Sequence, residues 1–340
     1  MKNLVSDYAR LMRLPGLGGL SIAPVFGALS LLGTGINITL QDFTLLFLIG
    51  VFSAIYGFVL NDYVDVEVDR LSNELSDRPL VKGTISRRTA LLICILCVIG
   101  AFITMFVFFY HNRLSFYLGI VCILISAFLG STYNIYGKKI IGSDFLVALS
   151  EAFLVLVGAF LVSPDGILTI FTWFVFILTF THVLYLNAVD GGIKDADHDV
   201  FMNVKNIALS SGVKVTRERQ LIIPWSFKTF ALGIRFFSTI VVFLPALYGI
   251  SYQWWNLVLL LLVVFSVLFG TVRLLTLKTF NRKQMRKMIS AQAFLRYFYV
   301  PIMLIPVITL IPALLLLIFP FLWYLLFIPL IGGKLFQPGI

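Results

Sequence analysis

About nine stretches of some twenty residues each, almost free of charge, run nearly end to end along this 340-residue chain. A stretch of that length and character spans a bilayer core of ~30 Å as a helix, and lipid tolerates no spanning element that leaves its backbone unpaired. The fold class is therefore all-α: a polytopic membrane helical bundle. Composition agrees. Hydrophobic residues make up 60%, charged residues 12%, and mean hydropathy is +1.00, against ~45–50% apolar and ~25% charged in an average soluble chain. The expected crossings lie at about 14–34, 43–60, 89–110, 114–132, 144–162, 167–188, 229–250 and 254–275, with a ninth beginning near Phe298. The segment beyond Pro320 reads as a tenth crossing or a bent interfacial end, since prolines recur from Pro301 to Pro329. His111, Asn112 and Arg113 form a tight turn, and 276–296 reads as a basic connector.

Charge sets the orientation. With the N-terminus inside, 23 of the 26 lysines and arginines fall in the N-terminus and the inward loops, which is the asymmetry of the positive-inside rule. The expectation is a cell-membrane protein with its N-terminus and site on the cytoplasmic face. The net charge of +10 is accounted for by those loops, so no nucleic acid is implied. Cys94 and Cys97 form a C-x-x-C inside an apolar segment, without a second pair, and read as packing. The N-terminus carries no compact apolar core followed by a cleavage site, so no cleavable signal is expected.

In a chain this poor in charge, two acidic clusters stand out. Asp62, Asp65 and Asp69 fall at i, i+3 and i+7 directly behind the second crossing, on one face of a helix. Like charges so stacked repel unless a cation lies between them. Carboxylate oxygens suit a hard divalent ion, and the expected cofactor is Mg2+. Asp195 and Asp199, one turn apart, form a second cluster behind the sixth crossing. Asp65/Asp69 and Asp195/Asp199 share their spacing and are offset by 130 residues, which suggests two related four-helix units, about 14–140 and 144–275, within one domain of 340 residues. The same face offers Arg78, Lys82, Lys138, Lys139, Lys194 and Lys205 as partners for phosphate oxygens. Acids, metal and bases beside a membrane cavity describe a site for a diphosphate with an apolar tail, that is, an isoprenyl diphosphate. Loss of diphosphate leaves a carbocation-like allylic carbon for a lipophilic acceptor to attack.

These residues resemble the UbiA superfamily of membrane prenyltransferases. Asn61-Asp62-x-x-Asp65-x-x-x-Asp69 is similar to its first motif, Arg78-Pro79 to the pair that follows, Tyr133 to Lys138 to its tyrosine- and lysine-bearing segment, and Asp195-x-x-x-Asp199 with Lys205 to the second motif. The resemblance covers about residues 10–215. It implies about nine helices around a central cavity, with Mg2+ at Asp62, Asp65 and Asp69 and at Asp195 and Asp199. It implies Asn61 orienting the diphosphate, and Arg78, Lys138 and Lys205 contacting its oxygens. Asn203 stands where that family commonly has glycine, and Asp190-Gly191-Gly192 departs from a segment that helps define the acceptor. The acceptor is an aromatic quinone precursor or a glycerol-phosphate ether lipid. The non-enzyme alternative is a divalent-cation transporter, which places its acids near the bilayer midplane. Glu67, Glu74 and Asp197 read as solvated loop acids, His198 as a loop neighbour, and Glu151 and His182 as facing the cavity without an assigned role.

Overall fold

The computed structural model describes residues 2–33, 35–70, 76–110 and 113–332; His111, Asn112, Glu74 and Lys334 lie outside them. The chain opens with α1 (Lys2–Leu11), α2 (Leu17–Leu20) and α3 (Ala23–Leu29), followed by α4 (Leu40–Asp69), α5 (Pro79–Lys82), α6 (Arg87–Phe109), α7 (Arg113–Tyr136), α8 (Asp144–Val162) and α9 (Ile170–Leu184). A π-helical segment, Tyr185–Gly191, extends α9 into α10 (Gly192–Lys194). Short helices α11 (Ala196–Phe201) and α12 (Ile207–Ser210) and a two-stranded hairpin, β1 (Lys214–Val215) and β2 (Leu221–Ile222), precede α13 (Trp225–Leu247) and α14 (Trp254–Leu275). The chain closes with α15 (Arg282–Tyr297), α16 (Tyr299–Ile308) and α17 (Leu310–Phe327). Among the described residues nine helices are long and apolar enough to cross a membrane, and a pair bent by 47° over Leu4–Leu29 makes a tenth candidate.

Amphipathicity is inverted, as lipid requires. On α6 the exposed positions Leu92, Ile95, Leu96, Ile99, Ile103 and Phe106 form one apolar outer stripe, while Cys94, Cys97, Ala101 and Met105 turn inward. Small residues set the closest approach inside. A Cβ built on Gly27 would lie 1.8 Å from the Val155 carbonyl oxygen, and one on Gly158 would lie 1.7 Å from that of Pro24. Only glycine lets α3 and α8 meet backbone to backbone. The shared core gathers Phe26, Ile49, Met105, Leu154, Val175 and Met303.

Three expectations change. The second crossing does not end near residue 60; α4 runs unbroken for 30 residues to Asp69. At 1.5 Å per residue that is about 45 Å, some 15 Å beyond a bilayer core, so the acidic turns are the helix's overhang rather than a loop. The sixth crossing likewise continues past residue 188, through the π-helical turn to Lys194. Nor is 276–296 a plain connector. Residues 282–297 are helical with Gln292 and Arg296 buried, and they form the first half of a 27-residue span ending at Ile308.

Thr309, at φ 68°, breaks the chain there, and α17 returns. Val307 sits against Gly33 at one end. At the other, Trp323 Nε1 donates to the Leu14 carbonyl and Arg10 Nη2 to that of Ile331, both at 2.9 Å. The segment around Pro320 is thus a further crossing, not an interfacial tail. Successive crossings bring the ends of α4, α7 and α10 and the starts of α8, α13 and α15 to one side.

Candidate active site

The acids of the first cluster are buried where α4 overhangs, with Asp62, Asp65 and Asp69 at 6%, 7% and 3% exposure. Each has a cation. Arg78, extended just before Pro79 at the start of α5, donates to Asp69 and, at 3.2 Å, to Asp62. Arg13 reaches Asp62 at 3.4 Å while stacking over Phe58. Lys138 Nζ lies 2.9 Å from Asp65 Oδ2. Asn61 Nδ2 donates to Asn134 Oδ1, and Asn134 is fixed in turn by the Gly57 carbonyl.

The second cluster begins where α10 ends. Asp195 precedes α11, its carbonyl accepting from the Asp199 amide at 2.9 Å, and its side chain pairs with Lys194 at 3.2 Å. Asn206 caps α12 with its oxygen and donates from Nδ2 to Asp199 at 2.7 Å. Burial pushes the Asp199 carboxyl up to about 7; Asp195 alongside adds to this and Lys138 opposes it. The half-buried carboxylate therefore sits in a field that favours gaining a positive partner. Asn203 adopts φ 50°, a left-handed conformation that asparagine tolerates among non-glycine residues, so the substitution for glycine keeps the turn.

Both clusters open onto one cavity of about 670 Å³. Asn61, Asp65, Tyr133, Lys138, Asp195 and Asp199 line it, so the two distant motifs converge. Asp62, Asp69 and Arg78 stand behind that wall. Lys205 is exposed and off the lining; its backbone amide donates to the Lys138 carbonyl at 2.9 Å, tying the loop after α11 to the segment after α7. Among the described residues no three carboxylate, imidazole or thiol groups stand close enough to hold a metal as they are; Arg78 and Lys138 now neutralise the acids that would. The donor chemistry nevertheless fits a hard cation shared with phosphate oxygens, since Asp65, Asp195 and Asp199 face one space and leave room for a ligand. Away from the acids the cavity is lined by Phe26, Phe52, Ala101, Phe102, Ile123 and Leu154, an apolar chamber for a chain.

Glu151 and His182 line the cavity, as their placement within the crossings suggested. Asp197 differs from its reading as a solvated acid: it pairs with Arg282 of α15. Glu67 does remain exposed, beside Arg70 and Arg87. Sequence reasoning missed Arg13, Asn134 and Asn206, whose types carry no signal alone. It also missed the buried pair Asp190–Arg296 at 2.7 Å, where both side chains are 1% exposed. An acid at the end of an apolar segment, five residues before Asp195, was the available clue.

Comparison with known proteins agrees with this geometry. A protoheme IX farnesyltransferase of Protochlamydia amoebophila is 27% identical over 167 residues, 49% of this chain and 56% of that protein. A digeranylgeranylglyceryl phosphate synthase of Archaeoglobus fulgidus is 51% identical over 49 residues, 14% of this chain and 16% of that one. The matched stretches thus span about half of the first relative's length and a sixth of the second's. The solved structure of a UbiA homolog from Archaeoglobus fulgidus, bound to GPP and Mg2+, superposes with a TM-score of 0.59 at 20% identity, covering 86% of this chain and 98% of that one. The sequence pattern of the UbiA prenyltransferase family matches residues 21–295. A multi-pass membrane bundle with two acidic motifs on one chamber, the chain belongs to the UbiA prenyltransferase family.

Proposed function

We propose that this protein transfers an isoprenyl group from a prenyl diphosphate to a lipophilic acceptor, with Mg2+ held by Asp62, Asp65 and Asp69 on one side and Asp195 and Asp199 on the other. The observation that carries the reading is the convergence of Asp65, Asp195, Asp199 and Lys138 on one cavity with an apolar far end. The GPP and Mg2+ bound to the Archaeoglobus homolog support it, as do the farnesyltransferase and synthase names of the sequence relatives.

Magnesium, when bound, neutralises the diphosphate and stabilises it as a leaving group. The chain's own groups do the rest. Arg78 and Lys138 exchange their carboxylate partners for phosphate oxygens, and Lys205 reaches the same oxygens from outside the wall. Asn61, held by Asn134, orients the head. Tyr133 lines the same cavity. The apolar walls exclude water while the bond from C1 to the diphosphate oxygen breaks, its electron pair leaving with the diphosphate. The acceptor's nucleophile then bonds to C1 and gives up its proton to the released diphosphate. The site faces the cytoplasm by the distribution of lysine and arginine.

Acids at helix ends, rather than near the midplane, disfavour a cation transporter. The short match to the Archaeoglobus synthase favours a glycerol-phosphate acceptor as the second reading. The test is purified protein with radiolabelled geranylgeranyl diphosphate, Mg2+ and a panel of acceptors. Product should form, and Asp65→Ala should abolish it in a protein that remains folded. Full turnover in that variant would remove Asp65 from the metal site.

A further inference from the structure

The second acidic motif hangs from a stretch of π-helix, and side chains from the C-terminal third hold that stretch. α9 gives way at Tyr185 to the π-helical segment Tyr185–Gly191, and the Asp195 amide donates to the Gly191 carbonyl at 2.9 Å. Whatever fixes the π turn therefore fixes where the motif begins. A π turn closes residue i to i+5, is rare, and gathers at functional sites.

Two arginines supply the hold. Arg235 of α13 is 1% exposed, and its guanidinium lies 3.1 Å from the centre of the ring of Tyr185, the first π-helical residue. Arg296 of α15 lies over the same ring at 5.2 Å and pairs with Asp190 at 2.7 Å, both side chains being 1% exposed. On an α-helix, residues five apart point about 140° away from each other. On a π turn they lie nearly one above the other. Arg296 meets both Tyr185 and Asp190 because the turn is π. An α turn would swing Asp190 away and leave two charges buried without a partner inside the bundle, which is the costly arrangement.

α15 takes hold again within the motif. Arg282, in its first turn, pairs with Asp197, which stands between Asp195 and Asp199. The two arginines lie about 21 Å apart along α15 by the helical rise. Between them Met285 and Ile289 pack with Tyr185, Val189, Ile193 and Ala196 in one apolar cluster. Beyond Glu218 the chain has no acidic side chain, so arginines of the C-terminal third can pair only with carboxylates from earlier in the sequence. Arg282 and Arg296 find theirs on either side of Asp195.

We propose that α15 braces the second metal motif. Arg296, through Asp190 and the π turn, and Arg282, through Asp197, hold Asp195 and Asp199 where they can take a cation, and Arg235 backs the turn through Tyr185. The proposal rests on the reading that Asp195 and Asp199 bind Mg2+. All three arginines are positioning residues, and Arg235 lies off the cavity lining, as a residue acting through Tyr185 would.

The test uses the full-length protein in micelles and two readouts. The first is hydrogen exchange of the amides of 185–201. Arg296→Gln and Asp190→Asn should each speed it at least about fivefold while leaving exchange in α6 and α7 unchanged. The second is Mn2+ affinity, read from the electron paramagnetic resonance of free Mn2+ with geranyl S-thiolodiphosphate present as a slowly ionising diphosphate. Each variant should weaken Mn2+ binding roughly tenfold, the low end of the loss when an outer partner of a metal ligand is removed. Asp195→Asn sets the scale for losing the ligand itself. Asp190→Asn combined with Arg296→Gln should cost no more than the worse single change, because both act through one pair. Arg282→Gln serves where Arg296→Gln is not monodisperse; it should weaken Mn2+ binding and speed exchange at 195–201.

Wild-type Mn2+ affinity in both Arg296→Gln and Arg282→Gln overturns the proposal. So do losses that add in the double variant, or faster exchange spread evenly over the bundle, the mark of general destabilisation. Mn2+ binding untouched by Asp195→Asn would instead remove the metal from that motif, while exchange at 185–201 still shows whether α15 holds the segment.

Discussion

Replacing Arg78 by alanine removes the only side chain that pairs with Asp69 among the described residues and one of two that pair with Asp62. At 3.2 Å and an effective dielectric near 20, the Arg78–Asp62 attraction alone is about 5 kcal/mol before desolvation is counted. Arg78 keeps about a third of its side chain in water, so part of that figure only offsets its own burial. Breaking a buried pair on one side leaves the acid uncompensated, at ~3–5 kcal/mol. Arg13 still reaches Asp62, which places the loss at the low end, about 3 kcal/mol, or a fall of roughly 4 °C in apparent melting temperature for a chain of this size. Intrinsic fluorescence in detergent at one scan rate measures it, because unfolding of such a protein is kinetic. Adding Asp69→Asn to Arg78→Ala should recover about half the loss, since the amide needs no counter-charge. Mg2+ should raise the midpoint of Arg78→Ala more than that of the wild type, by supplying the missing cation. An Arg78→Ala midpoint within 1 °C of wild type, or no recovery in the double variant, would show that these acids do not depend on arginine for their charge balance.

Gly158→Ala drives a methyl group to 1.7 Å from the Pro24 carbonyl oxygen; separating α8 from α3 by more than an ångström should cost the ~1–3 kcal/mol or more of overpacking, read as a lower melting temperature. It should also lower product formation, because Phe26 and Leu154 of those helices line the cavity. Asn203→Gly should be close to neutral in thermal stability, whereas Asn203→Val, forced to φ 50°, should lose about 1–2 kcal/mol. Cys94, Cys97 and Cys122 are buried, so maleimide should label none in the folded protein and all three after denaturation in SDS, read by mass.

The acidic motifs were legible because their signal is local. Helical spacing puts Asp62, Asp65 and Asp69 on one face whatever the rest of the chain does, and a charge cluster in an apolar sequence is conspicuous. Helix ends were less legible, for a physical reason. Hydropathy marks where a segment leaves lipid, not where its hydrogen-bonded backbone stops. α4 continues beyond that point to Asp69, with Arg78 and Lys138 neutralising its last turns. The start of α15 was hidden by the opposite bias. Arg282, Lys283, Arg286 and Lys287 make the stretch look like a loop, yet Met285, Ile289, Gln292 and Arg296 recur at helical spacing on one buried face. A window average cannot separate those two faces; the 3.6-residue period can.

On the proposed function, the overhang of α4 would let the acids serve two states. At the middle of a bilayer a carboxylate is expensive in any geometry; in an open loop it is solvated but has no fixed direction. One to two turns beyond the hydrocarbon edge it is held by a continuous helix and still within reach of mobile cations. Arg78 and Lys138 supply those cations from segments after α4 and after α7, and Lys205 is tied by its backbone to Lys138. Metal and diphosphate arriving together would bring positive charge for the aspartates and negative charge for the bases, so each ion pair of the ligand-free site could be exchanged for one of opposite partnership without a change in net burial of charge. If the proposed function holds, the ion pairs seen here would be the resting form of a site built for exchange, and the cost of opening them would be matched by contacts of the same kind. On the proposed function, arginine and lysine near the mouth would be as necessary to metal affinity as to phosphate contact, because without them the unliganded acids would repel one another and the overhang of α4 would fray.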